Sequence, residues 1–282
     1  MRRVAALASC LAAIWLSSCG TPMVLRPKVP PTAVPPEKIA RLLAEADAEW
    51  ARWGRKLAHV RPGEPLCLLV SDGSCRDVDD GCGQEQTAAL CPVVNDYWQA
   101  VPERFVNTCR LVDVCEWQWP RDSGLTRDDN KAWSAAFVSA MMARAGFTTT
   151  EFMPTGRHAL YIEAARDGYA SAYEVVRTPS VVSPGDVICS SRGRSRYRID
   201  PSTLHAIGAG DEMHCDIVVA VNTPEGHLEA IGGNVKQTVA KTIVPIDADG
   251  RLQYDASADR NWVLAMRART EAGGFAQGAH GH

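Results

Sequence analysis

Three short segments of the chain combine side chains whose types and spacing could support nucleophilic chemistry. The first begins a helix predicted over residues 131–145, where Ser134 would lie in the first turn. The positive end of a helix dipole favours developing negative charge, so this position suits a nucleophile. The second segment starts a predicted strand, and alternation along the strand places His214 and Asp216 on one face. The third segment is a Gly-Gly pair followed by Asn234.

In this order the segments resemble the papain-like cell-wall hydrolases of the CHAP and NlpC type. In that family a Trp-Cys-Ala-Ala-Phe-Val-like helix start supplies the nucleophile, and a Pro-Gly-Asp turn opens the sheet. A strand beginning with His supplies the base, and a later Asn orients it. The corresponding residues here are Trp133–Val138, Pro184–Asp186, His214 and Asn234. The resemblance covers about residues 130–240 and implies an α+β papain-like fold, with N-terminal helices packed on a small antiparallel sheet.

The chain departs from this family at the nucleophile, where Ser134 replaces Cys. A Ser hydroxyl is far less acidic than a thiol and needs concerted proton removal by a well-placed His. The resemblance therefore assigns Ser134 as nucleophile, His214 as general base and Asn234 as the group that fixes the imidazole tautomer. Asp216 would add a negative charge, although a residue two positions along a strand more often does not reach the His ring. A free catalytic Cys is an alternative, but Cys215 is predicted to face away from His214.

Four further side chains are predicted to bind substrate: Trp133, His158, Tyr161 and Asp216. Trp133 precedes the serine, and His158 and Tyr161 lie on a predicted helix between the nucleophile helix and the sheet. The alternative for His158 is a surface position on that helix. Alternate arginines over residues 192–198 could form a patch for an anionic cell-wall polymer, or simply a solvated loop.

The N-terminus matches a bacterial lipoprotein signal. Arg2 and Arg3 precede an apolar run, Val4–Leu16, which is too short for a transmembrane helix of about 20 residues. The run ends in Leu-Ser-Ser-Cys, which resembles a lipobox and predicts lipidation of Cys19. In lipoproteins, a residue other than Asp directly after the lipidated Cys implies sorting to the outer membrane. Gly20 occupies that position here, so the resemblance implies an outer-membrane anchor facing the periplasm. A conventional secretory signal with an unmodified Cys19 is the alternative.

Ten cysteines also indicate an oxidising compartment. Besides Cys10 in the signal and Cys19, an even number remains, which is typical of disulfides. The predicted disulfide cysteines are Cys67, Cys75, Cys82, Cys91, Cys109, Cys115, Cys189 and Cys215. Spacing leaves their pairing open, with Cys189–Cys215 as one candidate cross-strand bridge. No metal is predicted, because paired CxxC spacings are absent and the acidic run at 77–81 lacks the terminal Glu of an EF-hand.

The sequence divides into five predicted segments. They are a signal peptide (1–18), a Pro-rich tether (19–36), a helical Cys-rich part (37–125), a papain-like domain (126–270) and a disordered tail (271–282). Helical periodicity is found at 37–58 and around 94–101. Short β-rich runs follow at 181–189, 215–221, 228–231, 239–246 and 262–267. Helices first and then strands indicate an α+β fold.

Composition narrows the possible partners. With 46% hydrophobic and 22% charged residues the chain is typical of a globular protein, and a net charge of −3 gives no electrostatic footprint for nucleic acid. The resemblance and the signal together predict a membrane-anchored lipoprotein that cleaves peptidoglycan peptide or amide bonds, without a metal or organic cofactor. The alternatives are a catalytically inactive module that binds a wall peptide or a protein, and a structural lipoprotein that retains only the fold.

Overall fold

The computed structural model describes residues 27–60, 65–69, 73–76, 84–105, 109 and 132–270. Several predictions lie outside the described residues: the signal peptide with Cys19, the disulfide cysteines Cys82 and Cys115, and the tail 271–282. Among the helices of the described ranges, none is both long and apolar enough to cross a bilayer.

The described ranges contain four α-helices, most of whose buried apolar side chains belong to one hydrophobic core. They are α1 (Pro36–Arg52), α2 (Cys91–Trp98), α3 (Ser134–Arg144) and α4 (His158–Arg166). Pro36 suits the first turn of α1 because its missing N–H would have no helical partner there. Gly146 adopts a positive φ of 88° just after α3, so the predicted end of that helix is confirmed.

The strands form one large sheet and a separate two-stranded ladder. They are β1 (Lys56–His59), β2 (Cys67–Leu69), β3 (Cys75–Arg76), β4 (Tyr173–Arg177), β5 (Ser180–Val181), β6 (Val187–Ser191), β7 (Met213–Asn222), β8 (His227–Val235), β9 (Thr238–Pro245), β10 (Arg251–Leu252) and β11 (Trp262–Ala268). The nine-stranded sheet has the order β3-β2-β1-β9-β8-β7-β6-β11-β4, and β5 pairs with β10. All pairings are antiparallel except that of β1 with β9, which is parallel.

The α+β class is therefore confirmed, but the expectation of a small antiparallel sheet is wrong. The sheet is large and mixed because β1, β2 and β3 extend it from the part of the chain that was predicted to be helical. These strands are two to four residues long, too short for an alternating pattern to distinguish them from loops.

The Pro-Gly-Asp turn lies directly before β6, as the sequence predicted. The Asp186 carboxylate accepts hydrogen bonds from the backbone N–H groups of Ser183 and Ala268, both at 2.8 Å. It thereby ties the turn to the end of β11. Burial raises the pKa of Asp186 to about 6.

Three disulfides are present in the described residues: Cys67–Cys75, Cys91–Cys109 and Cys189–Cys215. The prediction of disulfide bonds is confirmed, including the Cys189–Cys215 bridge. That bridge joins directly opposed residues of β6 and β7. It fixes the register of the two strands at the point where β7 carries His214 and Asp216.

Candidate active site

Ser134 is the first residue of α3 and is almost completely buried, with 2% of its surface exposed. Trp133, just before it, stacks on Trp53 and Tyr97 at ring-centroid distances of 5.1 and 5.5 Å. Its indole N–H donates to the carboxylate of Glu85. Trp133, predicted to bind substrate, is thus a fully buried core residue that anchors the start of α3.

Two glycines of β8 leave room for close packing, one towards this helix and one towards the side chain of Asp216. A Cβ atom at Gly233 would lie 2.5 Å from Phe137 and 2.7 Å from Trp133. A Cβ atom at Gly232 would lie 1.7 Å from a carboxylate oxygen of Asp216. The Gly-Gly pair therefore leaves the space in which α3 and the Asp216 side chain pack, a role that the sequence pattern did not indicate.

Ser134 is hydrogen-bonded to His158. Its Oγ lies 2.6 Å from His158 Nε2, and the other ring nitrogen, Nδ1, is hydrogen-bonded to the Tyr161 hydroxyl. His158 begins α4 and Tyr161 follows three residues later, so both lie on one helix face. The three side chains form a continuous chain from the helix start of α3 into α4.

The electrostatic surroundings keep this chain neutral. Burial, together with the charges of His214 and Arg192, holds the pKa of His158 well below its usual value. Burial and the Asp216 charge raise the pKa of the Tyr161 hydroxyl well above its usual value. A neutral imidazole whose Nδ1–H donates to Tyr161 leaves the Nε2 lone pair for the Ser134 hydroxyl proton.

A second pair, His214 and Asp216, lies next to the first chain. His214 Nε2 lies 2.8 Å from Asp216 Oδ1, and the His214 and His158 rings are 5.4 Å apart between centroids. The expectation that a residue two positions along the strand does not reach the ring is wrong, since both side chains leave the same face of β7. Thr242 Oγ1 donates to the other carboxylate oxygen of Asp216 at 3.5 Å.

The two nitrogens of His214 differ. Nε2 is bonded to Asp216, whereas the buried Nδ1 has no hydrogen-bond partner among the described residues. Burial and the charges of Arg260 and Arg192 lower the pKa of His214 well below its usual value. Burial raises the pKa of Asp216 to about 6. Near neutral pH, His214 is a neutral ring oriented by a carboxylate, with an uncommitted lone pair.

The predicted hydrogen-bond chain of Ser134, His214 and Asn234 does not form in the structure. Ser134 meets His158 instead, and His214 is held by Asp216. β8 is irregular between Gly232 and Val235, and Asn234 has a positive φ of 55°. Asn234 lines a neighbouring cleft and, within the described ranges, forms no side-chain hydrogen bond to His214. The i,i+3 spacing of His158 and Tyr161 was the sequence signal that could have indicated the first chain.

Comparison with known protein families identifies the family of this chain. A family model described as "Uncharacterized protein conserved in bacteria (DUF2272)" matches residues 106–267, more than half of the chain. This range contains all the clustered polar side chains described above. Neither the curated proteins nor the solved structures contain a significant match.

Proposed function

Since this chain belongs to the bacterial family DUF2272, whose description names no activity, we propose a function from the site itself: amide hydrolysis by acyl transfer through Ser134. The observation that carries the proposal is the 2.6 Å contact between Ser134 Oγ and His158 Nε2 at the start of α3. A nucleophile within hydrogen-bond distance of a base, which a third group orients, is the arrangement that activates a hydroxyl.

In the proposed reaction His158 acts as the general base. As Ser134 Oγ attacks the scissile carbonyl carbon, its proton moves to His158 Nε2. Backbone N–H groups in the first turn of α3 have no intrahelical partner, and they are the donors for the developing oxyanion. His158 then protonates the departing amine, which leaves an ester on Ser134. A water molecule then gives a proton to His158 and attacks the carbonyl carbon of this ester. His158 returns that proton to Ser134 Oγ as the bond to the acyl group breaks, which releases the carboxylic acid and regenerates the hydroxyl.

His214 has a supporting role in this proposal. Asp216 holds its ring at Nε2, and the free lone pair of Nδ1 is available to accept a hydrogen bond from the amine or the attacking water. Tyr161 holds the ring of His158 from the opposite side through Nδ1, and the proposal places the ring proton on Nδ1 so that Nε2 can accept the proton of Ser134. In this proposal His158 is the base and Tyr161 is its orienting group, in place of His214 and Asn234, to which the family resemblance assigned these roles.

The proposed substrate is a peptide or amide bond of peptidoglycan. This part rests on the likeness of the motifs to papain-like hydrolases of the CHAP and NlpC type and on the lipoprotein-like signal. An anchor at Cys19, in the outer membrane and facing the periplasm, would hold the domain next to the cell wall.

The test compares three forms of the full-length chain, purified in detergent and incubated with peptidoglycan. We expect the parent protein to release soluble fragments with new termini, and Ser134→Ala to release none. Ser139→Ala is the matched control, because Ser139 is a buried hydroxyl on the same helix that donates to the Thr155 carbonyl. Identical fragment profiles by mass spectrometry for the parent and Ser134→Ala would refute the mechanism.

A second candidate is a catalytically inactive module that binds a wall peptide or a protein. The observation that favours it is the burial of the cluster, where Ser134 is 2% and His214 0% exposed. Sedimentation with insoluble peptidoglycan separates the two candidates. A parent protein that co-sediments but releases no fragment would identify a binding module.

A further inference from the structure

A cleft rich in cationic side chains lies beside the buried cluster. It has a volume of about 280 Å³. Its polar lining includes Arg192, Arg196, Asn234, Lys236, Asp259 and Arg260. Arg192 and Arg260 also act electrostatically on His214 and Asp216, so the cleft is close to the groups of the proposed reaction.

Arg260 is the unusual member of this lining. Only 8% of its surface is exposed, and it has no hydrogen bond or ion pair with any of the residues that the structure describes. Burial lowers its pKa to about 10, so the guanidinium remains charged at neutral pH. A buried charge that no opposite charge bonds directly is costly, and an anion bound in the cleft would offset that cost. The planar guanidinium fork matches the two oxygens of a carboxylate.

The charges around Arg260 favour an anion in this cleft. Arg192 adds positive charge, and the one acidic side chain of the described lining, Asp259, is already bonded to Arg196 at 3.5 Å. A second cleft, of about 220 Å³, also borders Arg260. Two carboxylates line that cleft, at residues 247 and 255, and they would repel an anion.

We propose that the first cleft is a carboxylate subsite, in which Arg260 binds a free carboxylate of the substrate and Asn234 and Arg192 flank it. This inference rests on the proposed function and specifies its substrate class. The substrate is a peptide with a free carboxylate close to the amide bond that is cleaved. The Asn234 side chain, which lines the same cleft, supplies an amide N–H donor of the kind that a carboxylate accepts.

The test measures binding without turnover, using the full-length chain with Ser134→Ala. The probes are N-acetyl-L-alanyl-D-glutamate and its bis-amide, compared by isothermal titration calorimetry. We expect the acid to bind at least tenfold more tightly than the bis-amide, and Arg260→Gln to remove this preference. Equal affinities for the two probes, or no binding of the acid, would overturn the proposal. Catalysis plays no part in this measurement, so a failure of the Ser134 mechanism would not imitate a failure of the subsite.

Two controls keep the result interpretable. Arg260 is buried, so Arg260→Gln is first checked by thermal unfolding. If it does not fold, the exposed Arg192→Glu carries the test, with at least a tenfold loss of affinity for the acid expected. Arg251→Gln, on a half-exposed side chain outside the cleft, is expected to leave the affinity unchanged. Inorganic phosphate is titrated in parallel, and tighter binding of phosphate than of the dipeptide would reassign the cleft and overturn the proposal.

Discussion

Two histidines lie side by side in the buried cluster, and they differ in how their ring nitrogens are bonded. His158 is bonded at both nitrogens, to Ser134 and to Tyr161. His214 is bonded at one nitrogen, to Asp216, and its other nitrogen has no partner in the described part of the chain. The neighbouring groups thus hold His158 against the nucleophile and leave Nδ1 of His214 able to accept a further hydrogen bond.

This difference separates two functions that one histidine performs in a Ser-His-Asp hydrolase. There, a single ring contacts the serine on one side and the carboxylate on the other. Here the serine contact belongs to His158 and the carboxylate contact to His214. In the proposed reaction, proton removal from Ser134 and electrostatic support by Asp216 act through different rings, so substitutions should separate the two effects.

The largest expected effect comes from His158→Gln. Loss of the base that contacts Ser134 should lower kcat/KM about a thousandfold, while His214→Gln should lower it about a hundredfold. Initial rates of peptidoglycan cleavage at fixed pH measure both. A larger loss of activity for His214→Gln than for His158→Gln would identify His214 as the base and contradict the division of roles between the two rings.

Asp216→Asn should have a smaller effect, of about tenfold, because it removes one charge-assisted hydrogen bond to His214. Since burial raises the pKa of Asp216 to about 6, the carboxylate forms only as the pH rises through that value. The pH–rate profile of the parent should therefore rise near pH 6, and this limb should be missing from the variant. An unchanged limb in Asp216→Asn would assign the ionisation to another group.

The stability of the same variant provides a check that does not depend on activity. The folded-state pKa of Asp216 lies above its ordinary value of 3.8, so the folded protein holds this proton more tightly than the unfolded chain does. The stabilisation of the folded state by this proton is fully present below about pH 3.8 and is lost as the pH rises through about 6. Denaturant unfolding should show the parent losing about 3 kcal/mol relative to Asp216→Asn between pH 4 and pH 7.

Tyr161→Phe should reduce activity about fivefold. It removes one hydrogen bond at His158 Nδ1, which corresponds to about 1 kcal/mol, and leaves the Ser134 contact in place. The comparison predicts that this loss adds to that of Asp216→Asn, since the two substitutions act on different rings. A double variant no slower than Asp216→Asn alone would show that the rings act as one unit.

The sequence predicted the individual residues of this cluster better than their partners. The helix of Ser134 and the strand of His214 were recognisable because each has a long pattern with one period. The choice between His158 and His214 as the partner of Ser134 depends on how α4 packs against α3, which no local pattern encodes. The Gly-Gly pair of β8 was visible in the sequence, but its close contacts with Phe137 and Asp216 arise only in the packed structure.

The smallest expected effect on activity comes from removing the Cys189–Cys215 disulfide. Cys215 lies between His214 and Asp216 in the chain, but alternation along β7 turns its side chain to the opposite face, where it bonds to Cys189. The pair Cys189→Ala and Cys215→Ala should therefore leave kcat/KM within about twofold of the parent below the unfolding temperature. The free energy of unfolding should fall by about 3.5 kcal/mol, the value expected for cysteines separated by 26 residues. The bridge joins opposed residues of β6 and β7 and so helps to set their register. A large loss of activity in a still-folded variant would mean that this register, and not the hydrogen bonds of the two histidines, determines the geometry of the site.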